Sequence, residues 1–119
     1  MTDNIQFYWS NGDQSKTVHL NDFLAALNKW IGDYEEKTYP NLYLAGGRTQ
    51  IIAEPGRKYI KLVSTGRGGR SVYCFLDRSG NIYKSATWRA PAKHIRGSIF
   101  DANYSLGKAL GHYGAAYLR

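Results

Sequence analysis

The sequence predicts an α+β fold in which one N-terminal amphipathic helix packs on an antiparallel β-meander, as a single small domain. Apolar side chains recur at three- and four-residue spacing within residues 21–36, which is the period of one helix face. Residues 49–85 instead alternate apolar and polar side chains between turn residues, which is the pattern of strands. The chain has 119 residues, a length typical of one domain.

The helix is predicted over residues 21–36. Its buried face is expected to contain Phe23, Leu24, Leu27, Trp30, Ile31 and Tyr34. Asn21 is the expected N-cap, because its side-chain oxygen can accept a hydrogen bond from the first turn. Residues 39–41, Tyr-Pro-Asn, are expected to end the helix. Short strands are expected at residues 4–9 and 42–45.

The meander is expected to contain strands at residues 49–54, 57–64, 70–77 and 82–85, with a hairpin turn at residues 78–81. Period-two alternation predicts one aliphatic face and one aromatic, basic face. The aliphatic face, which the helix covers, is expected to contain Ile60, Leu62, Val72, Cys74 and Leu76. The opposite face is expected to contain Tyr59, Lys61, Tyr73 and Phe75. A flexible basic loop is expected at residues 65–69.

The last third of the chain has no clear helix or strand period. Residues 86–101 are expected to form a basic loop, in which Arg89, Lys93 and Arg96 surround Trp88. Such a long, charged loop is typical of a functional segment rather than a plain connector. The Gly- and Tyr-rich tail, residues 102–119, is expected to contain at most a short helix with Leu106, Leu110 and Tyr113 on one face.

Positive charge is concentrated in the second half of the chain. The net charge of +7 combines −3 over residues 1–55 with +10 over residues 57–119. Twelve basic side chains in the second half exceed what the seven acids of the first half can neutralise, so an anionic partner is expected. The alternative is that the acidic half of this chain, or of a partner subunit, lies against the basic half.

Aromatic and basic side chains interleave within residues 57–101, and this is the pattern that a nucleotide requires. A base stacks on a flat ring, while its phosphates bind cations. The predicted ligand-binding residues are Arg57, Tyr59, Lys61, Arg70, Tyr73, Phe75, Tyr83, Lys84, Trp88, Arg89, Lys93 and Arg96. The alternative for the aromatic residues is a second core or a dimer interface.

Catalysis is not expected. Cys74 is the only cysteine and lies in the aliphatic pattern, so it is expected to be buried rather than nucleophilic. The three histidines lack metal-ligand spacing; His19 is expected at the surface or at a helix cap, and only His94 lies in the basic loop. No cofactor and no metal are therefore expected. The sequence also lacks an apolar run long enough to cross a membrane and a secretory signal, so a cytoplasmic protein without a membrane partner is expected.

The pattern Arg-Lys-Tyr-Ile-Lys at residues 57–61, Gly-Asn-Ile-Tyr-Lys at residues 80–84 and Lys-His-Ile-Arg-Gly at residues 93–97 resembles small bacteriophage proteins. It is similar to the Thoeris anti-defence family, phage proteins that sequester cyclic ADP-ribose signals of bacterial immune systems. The resemblance covers residues 57–101. It implies a helix with an antiparallel sheet, a ligand bound between subunits and an infected bacterial host.

Three functions are therefore open. The first is a non-enzymatic phage protein that sequesters a small anionic, cyclic nucleotide to counter host defence. The second is a single-stranded DNA- or RNA-binding protein that uses the same face. The third is a protein-binding inhibitor of a host factor. A homo-oligomer is expected in each case, because a domain of this size cannot easily bury seventeen aromatic side chains.

Overall fold

The computed structural model describes residues 7, 9–12, 14–44, 46–66 and 69–115. The helices are α1, Ser15–Thr38, and α2, Pro40–Leu44; the strands are β1, Gln50–Pro55, β2, Ile60–Gly66, β3, Gly69–Leu76, β4, Asn81–Ser85, β5, Pro91–Ser98, β6, Leu110–Gly111, and β7, Gly114–Ala115. Short 3₁₀ turns lie at Ser10–Gly12 and Ala102–Ser105. No helix in the described part of the chain is long and apolar enough to cross a membrane.

The five longer strands form one sheet in the order β1-β2-β3-β4-β5, and every neighbouring pair is antiparallel. This confirms the predicted α+β fold and its meander. The hairpin turn between β3 and β4 also lies where it was predicted. Gly80 supplies the positive φ of 84° that the turn requires, and its N–H donates to the carbonyl of Asp77 at 3.0 Å.

One face of the sheet packs on α1, and this face is here called the inner face. Four fully buried α1 side chains form its helical side: Leu20, Phe23, Leu27 and Ile31. They share one hydrophobic cluster with Ile60, Leu62, Cys74, Leu76 and Ile82 of the sheet. The prediction that the helix covers the aliphatic face is therefore confirmed.

The helix begins six residues earlier than the sequence predicts. Gln14 is its N-cap and makes no side-chain capping hydrogen bond, so the expectation that Asn21 caps the helix is wrong. Tertiary contacts hold the extra turns instead. The indole N–H of Trp9 donates to the hydroxyl of Thr17 at 2.7 Å, and the Nε2 of His19 lies 2.7 Å from the carbonyl oxygen of Ile99. Contacts of this kind extend a helix beyond its local sequence signals.

The strand predicted at residues 42–45 is wrong, because residues 40–44 form α2. Pro40 occupies the first helical position, where its fixed φ suits a helix and its missing N–H costs nothing. The strand predicted at residues 4–9 lies mostly outside the described residues. Of its members, Phe7 and Trp9 are described; neither belongs to a strand, and both are buried in the core.

The prediction of a loop over residues 86–101 is wrong, because β5 occupies half of that segment. β5 is an edge strand, and its register with β4 shifts twice, once on each side of Tyr83. Such bulges interrupt the alternation by which a strand is recognised. Lys93, His94 and Ile95 are exposed, as the polar sequence of an edge strand leads one to expect.

The helix considered for the tail is also wrong. Gly107 has a positive φ of 82°, and Leu110–Gly111 pairs with Gly114–Ala115 as strands, so the segment with Leu106, Leu110 and Tyr113 does not form a right-handed helix. Leu106 and Leu110 nevertheless reach the core cluster. The remainder of the described tail forms the small hairpin of β6 and β7.

Candidate functional site

The face of the sheet opposite α1, here called the outer face, carries a cluster of three aromatic rings. The ring of Tyr59 lies edge-on to those of Phe75 and Tyr83, with centroid distances of 6.2 and 6.0 Å. Phe75 is the cross-strand partner of Lys61 and is only 2% exposed. Phe75 is therefore a packed support for the other two rings and cannot itself offer a face to a ligand.

A hydrogen-bonded carboxylate fixes Tyr83 in this cluster. Asp77 accepts hydrogen bonds from the Tyr83 hydroxyl and from the backbone N–H groups of Ser79 and Asn81, each at 2.9 Å. Partial burial acts to raise the pKa of Asp77, but the hydrogen bonds from Asn81, Ser79 and Tyr83 outweigh it and lower that pKa. Desolvation and the bond to Asp77 raise the pKa of Tyr83 to about 12.

Trp88 lies on the turn between β4 and β5 and contacts two cations, one on β2 and one on β3. The ammonium of Lys61 is 4.0 Å from the indole centroid, and the guanidinium carbon of Arg70 is 5.6 Å from it. Both distances are within the range of cation–π attraction. The carboxylate of Glu54 pairs with Arg70. Trp88 itself remains 43% exposed.

A cleft of about 320 Å³ opens beside these groups, and it is here called the outer cleft. It is lined by Glu54, Pro55, Gly56, Arg57, Lys58, Tyr59, Lys61, Phe75 and Arg89. The turn between β1 and β2 forms one wall, and the N–H of Gly56 closes this turn by donating to the carbonyl of Tyr59 at 2.8 Å. Four basic side chains and one carboxylate line the cleft, so its electrostatic field favours an anion.

The structure brings together eight of the twelve predicted site residues. Those at the outer cleft or in contact with its lining are Arg57, Tyr59, Lys61, Arg70, Phe75, Tyr83, Trp88 and Arg89. Sequence reasoning missed Glu54 and Lys58. The Pro55-Gly56 turn signal could have found both, because a tight turn places its flanking side chains side by side.

Tyr73 does not belong to the outer face, so its predicted position is wrong. Leu62 pairs with Cys74 and Val63 with Val72, so Tyr73 is an extra residue in β3. This bulge reverses the alternation, places Tyr73 in the core cluster and leaves Val72 outside it. The Tyr73 hydroxyl donates to the carbonyl of Gly111 at 2.6 Å, and burial raises the pKa of Tyr73.

Lys84, Lys93 and Arg96 are the other predicted residues outside the outer cleft. Lys84 shares a separate cleft of about 310 Å³ with Tyr73, Ser85 and the hairpin of β6 and β7. Lys93 is exposed and Arg96 is half-buried, both on β5. They extend the basic surface along the sheet edge rather than line the outer cleft.

The cysteine and histidines do not assemble a reactive site. Cys74 is fully buried as predicted, and this burial raises the pKa of its thiol. His19 is not a surface or capping residue, because it is half-buried and stacks on Phe100 at 4.3 Å. No group of three or more metal-ligating side chains occurs among the residues that the structure describes.

An aromatic stack that sequence reasoning missed joins the tail to α1. The ring of His112 is nearly parallel to those of Trp30 and Tyr34, with centroid distances of 4.1 and 3.9 Å. Two rings cannot share one face of an imidazole at such distances, so His112 lies between them. The stack fixes the hairpin of β6 and β7 on the helix and lies apart from the outer cleft.

The chain belongs to a family of unknown function, DUF7717, whose model matches residues 11–109. Searches of curated proteins and of solved structures return no match. The matched residues include all five strands of the sheet and every residue that lines the outer cleft.

Proposed function

We propose that this protein binds a small anionic nucleotide in the outer cleft and holds it without chemical change. The observation that carries this proposal is the meeting of Arg57, Lys58, Lys61 and Arg89 around one cleft of about 320 Å³. That volume lies at the lower end of small-molecule sites, which span roughly 300–1,000 Å³. It suits one nucleotide better than a long polymer.

The aromatic residues favour a nucleotide over a simple inorganic anion. Tyr59 lines the cleft, and Trp88 stands beside it with 43% of its surface exposed. A flat base can stack on such a ring and gains contact area that phosphate or sulfate lacks. The cations then bind the phosphates with charge-assisted hydrogen bonds.

Binding without reaction is the role that the cleft residues favour. Glu54 is the one carboxylate in the cleft lining, so the lining supplies no pair of carboxylates for acid–base chemistry. A protein that retains a signalling nucleotide lowers the free concentration of that signal. We therefore propose sequestration of a cyclic nucleotide, as the resemblance to the anti-defence family implies, with a second subunit completing the site.

Isothermal titration calorimetry with a panel of ligands tests this proposal. The panel contains ADP, GDP, cyclic ADP-ribose, a cyclic dinucleotide and a single-stranded oligonucleotide. We expect micromolar or tighter binding of at least one nucleotide. Absence of binding to every nucleotide at that concentration would overturn the proposal and favour a protein partner.

Charge-neutral variants locate the site. Arg57→Gln and Arg89→Gln should each weaken the affinity by a factor of roughly ten to a hundred, since a charge-assisted hydrogen bond contributes about 1.5–3 kcal/mol. Lys108→Gln is the matched control, because it also removes one exposed positive charge but lies in the tail, outside the outer cleft. An equal loss in all three variants would indicate only a general effect of charge.

Single-stranded nucleic acid is the second candidate, and one observation favours it. β5 presents exposed Lys93 and His94 next to β4, whose Tyr83 contacts the ring of Tyr59. The basic surface therefore continues beyond the cleft. If this surface binds a strand, Lys93→Gln should weaken oligonucleotide binding and leave mononucleotide binding unchanged.

A further inference from the structure

Two of the cations at the outer cleft are engaged with Trp88 in the free protein. We infer that a bound nucleotide replaces these cation–π contacts. Its base then stacks on the indole of Trp88, and its phosphates bind Lys61 and Arg70. The inference rests on the proposed function, because it requires a nucleotide in the outer cleft. It makes Trp88 the residue that distinguishes a base-bearing ligand from a polyphosphate without a base.

Lys61 carries the first part of the exchange. Its side chain lines the outer cleft, while its ammonium lies 4.0 Å from the Trp88 centroid. At a partly exposed site a cation–π contact is weak, whereas an ammonium–phosphate pair is a charge-assisted hydrogen bond. A phosphate in the cleft therefore draws Lys61 away from the indole.

Arg70 is also expected to leave the indole and bind a phosphate, because its contacts in the free protein are weaker than an arginine–phosphate pair. Its side chain is 51% exposed, and its guanidinium is paired with Glu54 and lies 5.6 Å from the Trp88 centroid. Surface ion pairs contribute little to stability, so this pair does not hold Arg70 firmly. Glu54 lines the outer cleft, which places Arg70 beside any ligand bound there.

The hydrogen bonds of the turn that contains Trp88 hold its indole beside the outer cleft, where a base can stack on it. The N–H groups of Ala86 and Thr87 donate to the carbonyl of Ala90 at 2.9 and 3.1 Å. The Thr87 hydroxyl accepts from the N–H groups of Arg89 and Ala90, each at 3.1 Å. Because these bonds tie the turn together, a phosphate bound to Arg89 in the cleft positions the neighbouring Trp88 for its base.

Tryptophan fluorescence reports this exchange directly. Trp9 is 1% exposed in the core, and Trp30 stacks on His112, so neither ring borders the outer cleft. The probes are the tightest-binding nucleotide of the calorimetric panel and inorganic pyrophosphate, which carries phosphates without a base. We expect the nucleotide to quench emission in the wild type and in Trp30→Phe, and to leave the emission of Trp88→Phe unchanged.

Affinities measured in parallel complete the test. Trp88→Ala should weaken nucleotide binding roughly tenfold, the loss of one base–aromatic stack, and pyrophosphate binding less than about twofold. Melting temperature checks that the variant is folded. Nucleotide binding without quenching, or an equal loss for both probes, would overturn the exchange and leave the proposed function standing. Calorimetry without binding of any nucleotide would overturn the proposed function itself.

Discussion

The side-chain amide of Asn28 pairs with the backbone of Ile51 as a neighbouring strand would. The N–H of Ile51 donates to Asn28 Oδ1 at 2.7 Å, and Asn28 Nδ2 donates to the carbonyl of Ile51 at 3.0 Å. β1 is an edge strand, so these two backbone groups have no partner strand. Seven residues further along α1, Glu35 accepts hydrogen bonds from the N–H and the hydroxyl of Thr49. The helix thus seals this edge against association with another chain.

Removal of this pairing should destabilise the protein. Asn28→Ala leaves the N–H and carbonyl of Ile51 without their partner, and we expect a loss of about 1–3 kcal/mol in the free energy of unfolding. Urea denaturation measures it. Asn28→Asp retains the acceptor and should lose less. Lys29→Ala, an exposed neighbour paired only with Asp33 at the surface, should change stability little; an equal loss there would contradict the role of Asn28.

A side chain at Gly97 should be poorly tolerated. A Cβ at this position would lie 2.7 Å from Ala109 Cβ and 3.0 Å from Ser105 Oγ, where the tail packs on β5. We expect Gly97→Ala to cost about 1–3 kcal/mol of stability. Gly69→Ala is the control, because among the described residues, its chain neighbours aside, no atom lies within 4 Å of its added Cβ. Similar melting temperatures for the two variants would show that the tail does not pack against β5 in solution.

Asp77 should contribute to stability only above acidic pH. Its pKa in the folded protein is lowered from the ordinary 3.8, so its contribution is present above that value and is lost as pH falls towards the folded pKa. Asp77→Asn should therefore be less stable than the wild type at pH 7, and the difference should shrink below pH 3.8. Urea denaturation at several pH values measures this, and a pH-independent difference would exclude the ionised carboxylate as its cause.

Tyr83 should titrate late in alkali. Its pKa is raised to about 12 from the ordinary 10.0, so its stabilising contribution is complete below pH 10 and is lost as pH rises through 12. Ultraviolet difference spectra of the wild type against Tyr83→Phe isolate this phenol. An ordinary titration near pH 10 would show that the bond to Asp77 does not form.

The Cys74 thiol should be unreactive in the native protein. It is fully buried, and burial raises its pKa, so little thiolate forms and reagents cannot reach it. Ellman's reagent at pH 8 should label no thiol until denaturant is added, and then one thiol per chain. Rapid native labelling would contradict the burial.

Salt dependence separates the two ligand classes. Four basic side chains line the outer cleft, so a ligand confined there should give a slope of log affinity against log salt no steeper than about −3. A strand that continues along β5 should give a steeper slope, and this slope should become shallower in Lys93→Gln. Equal slopes for a mononucleotide and an oligonucleotide would exclude the longer path.

The sequence predicts the chemistry of the outer cleft better than it predicts which residues line it. Tyr59, Lys61 and Phe75 were placed correctly because period-two alternation holds on either side of the Tyr73 bulge. At the bulge itself the alternation fails, so it places Tyr73 on the wrong face. Arg70 and Trp88 are far apart in the sequence, and only the path of the turn between β4 and β5 shows that they meet.

The amino-acid sequence alone predicts the α+β class, the helix face, the order of four strands, the burial of Cys74 and the concentration of charge after residue 56. These follow from local periods and composition, which the chain carries whatever its surroundings. The start of α1, the fifth strand and the set of residues that line the outer cleft depend instead on tertiary contacts. An edge strand, a bulge and a helix start without a side-chain cap are each stabilised by tertiary contacts, such as that of His19 with Ile99 or the pairing of β5 with β4. No local pattern encodes those partners.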